Sequence, residues 1–167
     1  MSAPVEPQPC LLSVFDDPSC LIYGIGNDGR QDDGLGWALI DRLERRGDRL
    51  RATTRRTYQL ALEDADLISR FTKVLFVDAT TDPAVTSVEL TRPQPHLDIS
   101  FTSHALSVPA VLATARQCFD TTPQAFLLAI RGYRWELRTG LSRAARQNLD
   151  SAVQMLTSPN SGLWHFD

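Results

Sequence analysis

Lysine is almost missing from this chain. Lys73 is the only one, and arginine carries the rest of the positive charge. A phosphate-binding P-loop needs a Gly-Lys-Ser/Thr triplet, which Lys73 does not supply, so that class of nucleotide hydrolase is excluded. Cysteine is sparse too. Cys10, Cys20 and Cys118 are odd in number and widely spaced, which excludes a disulfide framework and any C-x-x-C metal or redox pair. Reduced thiols in the cytoplasm are the expectation. No apolar run approaches the roughly 20 residues that cross a bilayer. The first ten residues, MSAPVEPQPC, lack the basic and then apolar stretches of a secretory signal. The formal net charge of −3 gives no support to generic binding of nucleic acid or anionic membranes. Neither a G-x-S-x-G nucleophile elbow nor an H-E-x-x-H zinc motif occurs.

What is present is the composition of an ordinary soluble domain. The chain has 167 residues, 43% hydrophobic and 22% charged, enough for one substantial core. Residues 1–19, with three early prolines, are expected to be a mobile leader. Residues 20–158 form the domain and 159–167 a tail. The arginines at 42, 45, 46, 51, 55 and 56 are expected to line a solvated helix face and a strand edge.

Short apolar runs alternate with helical periodicity. Leu21–Ile25, Arg51–Gln59, Val74–Val77, Val85–Leu90 and Ala125–Ile130 are predicted strands. Helices are predicted after the first strand, with Trp37, Leu39, Ile40 and Leu43 on one face and Gly47 as C-cap, and over Leu60–Phe71. Two more are predicted after Ser107, with Pro109 in the first turn, and after a capping Ser142. This order argues for an α/β fold: a three-layer αβα sandwich around a mainly parallel twisted sheet of about five strands. Sites in such sheets lie beyond the C-terminal strand ends.

Residues 24–36, GIGNDGRQDDGLG, carry the strongest signal. Gly24, Gly26 and Gly29 satisfy the G-x-G-x-x-G pattern of a dinucleotide-binding turn. Such a turn should pass straight into a helix whose N–H groups face phosphate. Here the chain runs on to Asp32 and Asp33, and with Asp28 three carboxylates crowd the anion's place. The loop is better suited to a cation or to presenting a carboxylate.

Asp78 ends the central strand, and His104 precedes a helix in Thr102-Ser103-His104-Ala105-Leu106. Each has an ordinary alternative: Asp32 or Asp33 as a helix cap, Asp78 as a turn residue, His104 as a structural imidazole. Asp33, Asp78 and His104 on one rim would make a three-ligand set with open positions for Ni, Zn or Mn.

These residues resemble the hydrogenase maturation endopeptidases, which trim the large-subunit precursor of nickel–iron hydrogenases. The matching segments are Gly24-Ile25-Gly26-Asn27 with Asp32-Asp33-Gly34-Leu35-Gly36, Val74 to Ala79, Thr102 to Leu106, and Gly140-Leu141-Ser142. They run in family order from Leu21 to about Leu156. The chain departs from the family pattern at Thr57–Leu60 and at Trp135–Thr139. The resemblance implies that Asp33, Asp78 and His104 contact the metal, with Asp33 and Asp78 also in catalytic roles. Gly26, Asn27, Asp32 and Gly34 would support the site. It further implies nickel supplied by the substrate rather than tightly bound, no nucleotide, and the precursor as partner. Water activation is open between a metal-polarised water and an Asp general base. Two rival functions are a binding-only assembly chaperone of the large subunit and a dinucleotide-binding protein, with Arg55 and Arg56 meeting a 2′-phosphate.

Overall fold

Five strands form one sheet in the order β2-β1-β3-β5-β4, in a computed structural model that describes residues 9–47, 49–97 and 105–159. The strands are β1 (Cys20–Ile25), β2 (Thr53–Thr57), β3 (Lys73–Thr80), β4 (Val88–Thr91) and β5 (Gln124–Arg131). All neighbours are parallel except β4, which runs antiparallel to β5 at one edge. The helices are α1 (Leu11–Phe15), α2 (Leu35–Glu44), α3 (Glu63–Ser69), α4 (Val108–Phe119) and α5 (Arg143–Thr157). Among the described residues, no helix is long and apolar enough to cross a membrane.

Alternation along the strands divides the core into two layers. Leu21, Tyr23, Val74 and Phe76 pack against Ala65 and Ile68 of α3 and Val111, Leu112 and Ala115 of α4. Ile22, Leu75, Val77, Phe126 and Leu128 meet α1, α2 and α5 on the other face. All six residues of β1 are buried, as a central parallel strand covered on both sides requires. The three-layer αβα sandwich expected from the sequence is therefore the fold.

Caps fix the two helices whose starts matter to the site. Ser107 and Ser142 each accept the N–H three residues on, Ala110 and Ala145, both at 3.2 Å. Pro109 sits in the first turn of α4. The C-cap of α2 is Arg45 and not Gly47, because the helix stops after Glu44.

The leader expected over residues 1–19 is corrected at its C-terminal half. Leu11, Leu12 and Phe15 of α1 are core residues, and the Phe15 ring meets Phe126 edge-on at 5.1 Å between centroids. Four apolar positions in a five-residue segment are too short a run for periodicity to mark, and the prolines on both sides masked them. Cys10 forms an antiparallel bridge with Pro159, so the described chain ends meet. Most of the expected tail lies outside the described residues.

Candidate functional site

The loop after β1 turns on Gly26. Its φ of +137° is closed to ordinary side chains, and a Cβ there would stand 1.9 Å from the carbonyl oxygen of Asp33. That contact is possible because the Asn27 N–H donates to the same carbonyl at 3.0 Å. Gly36 does a similar job one turn later. A Cβ on it would meet the carbonyl oxygens of Val77 at 2.5 Å and Ile25 at 2.6 Å. Glycine thus lets the start of α2 rest directly on the ends of β1 and β3. Asp33, in the 3₁₀ turn Gln31–Gly34, is delivered to the rim of the sheet.

The three loop carboxylates do not crowd one place. Asp28 is exposed and faces a separate small cleft beside Trp37 and Gly140. Asp32 is fully buried and accepts four hydrogen bonds from the segment after β5: Tyr133 N at 2.8 Å, Arg134 N at 2.9 Å, and Ser142 N and Oγ at 2.7 Å each. Burial pushes its carboxyl upward, but the donors, led by the Ser142 and Tyr133 N–H groups, outweigh it and leave the pKa below the usual carboxylate range. Asp32 is an anchor. It caps no helix of its own, and neither does Asp33, whose side chain is left for the cleft.

That cleft has a volume of about 420 Å³. Asp33 and Asp78 both line it, together with Ile25, Tyr58–Leu60, Leu127 and the 105–109 segment that starts α4. Asp78 shares a strand face with Val74 and Phe76, so it continues an apolar column and is the point where that column turns polar. Burial drives its pKa up to about 7, against the Ala79 N–H and with help from the negative charge of Asp33. Burial also raises Asp33, with the Arg30 guanidinium and the Asn27 N–H opposing it. Two partly desolvated carboxyls thus line one cleft, and the charge of Asp33 disfavours that of Asp78. Their hard oxygen donors suit a divalent ion.

His104 lies outside the described residues. Ala105, the next residue, lines the cleft. Among the described residues no group of three His, Cys, Asp or Glu side chains is placed to hold a metal. Gly26, Asn27, Asp32 and Gly34 all fall in the segment between β1 and α2 that carries Asp33. Three features were not read from the sequence: the tie between Asp32 and Ser142, the walls at 58–60 and 105–109, and a buried bond in which Tyr23 Oη donates to Asp64. Asp64 also accepts the Ala61 N–H at 2.8 Å, bracing the loop behind Leu60. Ser107, Pro109 and Ser142 carried signals as helix starts, and none of these pointed to the contacts they make here.

The dinucleotide pattern has few free donors to offer phosphate, the Asp28 N–H alone being left over among residues 26–33. The N–H groups of Gly26, Asn27, Gly29, Arg30, Gln31, Asp32 and Asp33 all donate within the protein. Arg56 is also engaged, with Asp41 at 2.5 Å and Glu44 at 2.9 Å. The glycines serve close packing of loop on sheet.

No protein-family model and no curated protein matches the sequence. Solved structures do match the fold. The hydrogenase maturating endopeptidase HybD from E. coli has a TM-score of 0.65 at 17% identity, over 81% of this chain and 87% of that one. The [NiFe] hydrogenase maturation protease HycI from Thermococcus kodakarensis has a TM-score of 0.60 at 21% identity, over 87% and 94%. A hydrogenase 2 maturation peptidase from a Thaumarchaeota archaeon has a TM-score of 0.59 at 17% identity, over 81% and 94%. This chain shares their fold across most of its length.

Proposed function

We propose that this protein is a cytoplasmic endopeptidase that removes the C-terminal extension of a nickel–iron hydrogenase large-subunit precursor after nickel insertion. The observation that carries this reading is Asp33 and Asp78 on one cleft, at the C-terminal ends of β1 and β3, in a fold shared with hydrogenase maturation proteases. The cleft walls are largely apolar and open, as an extended peptide tail would require.

The nickel ion belongs to the substrate. Bound at the precursor's own site, it supplies Lewis-acid character and a positive charge to be recognised. Asp33 and Asp78 would offer it carboxylate oxygens, with the His104 imidazole as third donor. An empty precursor lacks that bridge, so processing is conditional on metal loading. The raised pKa values of Asp33 and Asp78 give the chain's own groups a second part to play. Near neutral pH one carboxyl of such a pair keeps a proton while the other accepts one, the division of labour that general acid–base attack by water requires.

The test incubates the protein with its large-subunit precursor, nickel-loaded or nickel-free, and weighs the products by mass spectrometry. Loss of a C-terminal peptide from the loaded form alone is expected, with Asp33→Asn slowed at least about 100-fold, within the range of a lost general base. Binding without cleavage of either form would replace this reading with that of an assembly chaperone. Wild-type cleavage by Asp33→Asn would remove Asp33 from the site.

A further inference from the structure

We infer that the arch from Arg131 to Arg146, between β5 and the first turn of α5, is a docking surface for an acidic segment of a partner protein. In a chain of net charge −3, this stretch holds five arginines against the lone acid Glu136. Arg134, Arg138, Arg143 and Arg146 are all exposed. None of these four pairs with a carboxylate among the described residues. The contrast is with the arginines of α2 and β2, where Arg42 meets Asp150 at 2.9 Å and Arg56 meets Asp41 and Glu44.

The charges are also gathered. Asp32 binds the backbone of Tyr133 and Arg134 at one foot of the arch and of Ser142 at the other. Arg134 and Arg143 are thereby held near each other despite their separation in sequence. Fixing the backbone lowers the entropy lost when a partner is engaged. Leu137 stands 85% exposed among these cations. A solvated charged loop has no use for such a side chain. A peptide carrying carboxylates and an apolar residue would cover both features. Guanidinium forks match carboxylates in paired geometry, which makes the arginines a specific choice over lysine.

The arch rests on the turn that carries Asp33. Gln31 N donates to Arg138 O at 2.8 Å, and Glu136 N donates to Gln31 Oε1 at 3.2 Å. A partner held there touches the segment that supports the turn carrying Asp33. This deepens the protease reading and rests on it only for the partner's identity, which would be an acidic surface of the precursor outside the scissile tail.

The test uses the full chain and a fluorescein-labelled peptide of alternating glutamate and leucine, followed by anisotropy at low and high salt. Saturable binding that weakens with salt is expected, since exposed charge pairs are screened. Arg138→Glu/Arg143→Glu should weaken it at least tenfold with an unchanged melting midpoint, and Arg138→Lys/Arg143→Lys should retain most of it. Absence of binding by the wild-type protein at low salt, or equal binding by the glutamate variant, overturns the proposal. Tighter binding of a single-stranded oligothymidylate, lost in the same variant, reassigns the surface to nucleic acid and overturns it too. Anisotropy reads binding without cleavage. Failure here leaves the protease reading standing, and binding without any precursor cleavage fails that reading alone.

Discussion

Ser142 and Asp32, 110 residues apart, are joined by two hydrogen bonds of 2.7 Å each, from the serine N–H and from its hydroxyl. The same hydroxyl accepts the Ala145 N–H at 3.2 Å, so one side chain caps α5 and closes the arch on the loop that carries Asp33. Asp32 is buried with its four donors satisfied by a single charge. Asp32→Asn keeps the shape but turns an amide NH₂ toward N–H donors. We expect it to cost at least about 3 kcal/mol in chemical denaturation, the scale of orphaned donors around a buried charge. Ser142→Ala should cost about 1 kcal/mol, a lost cap plus one bond. Equal costs for the two would contradict the central place given to Asp32.

Gly26→Ala tests the close approach that positions Asp33. The new methyl would stand 1.9 Å from the Asp33 carbonyl on a backbone of φ +137°. The loop must move, and strain of about 3 kcal/mol is expected. Since the loop carries Asp33, precursor cleavage should fall further than stability predicts. A variant with native melting and native cleavage would show that the loop tolerates a side chain there.

The sheet was legible in the sequence wherever apolar residues ran unbroken, as in Val74–Val77 and Ala125–Ile130. Parallel strands buried on both faces leave little else possible. The place of Asp33 and Asp78 on one rim was legible because each comes after an unbroken apolar run, although β3 itself continues past Asp78 to Thr80. The partition between Asp32 and Asp33 was not. Adjacent identical residues differ only in what meets them, and what meets Asp32 comes from residues 133–142. Long-range donors leave no local pattern. The same holds for the cleft wall at Tyr58–Leu60, whose backbone is tied to distant partners such as Leu106, whose N–H donates to Leu60 O at 3.0 Å.

Phe15 tests whether the segment before β1 belongs to the fold. It is fully buried, edge-on to Phe126. Phe15→Ala should destabilise by about 3–5 kcal/mol in denaturant, as for an aromatic removed from a core. A loss below about 1 kcal/mol, ordinary for a surface position, would restore the mobile leader expected from composition.

Asp78 gives the fold a pH signature of its own. Burial, the largest effect on it, raises its pKa from 3.8 to about 7. Below 3.8 the carboxyl is neutral in both the folded and the unfolded chain, and its burial carries no charge penalty. As pH rises toward 7 the unfolded chain releases its proton first, so stability is progressively lost across that window. Asp78→Asn removes the titration while keeping the shape. In a chelator, to keep stray cations off the carboxylates, the variant should be more stable than wild type at pH 8 by about 2–4 kcal/mol. At pH 4 the gain should nearly vanish. Under the proposed function the same substitution should abolish precursor cleavage, because the desolvated charge that weakens the fold would be the one offered to the substrate's metal. Parallel stability curves for the two proteins across this range would mean that Asp78 titrates as an ordinary surface acid, and its place in the site would have to be given up.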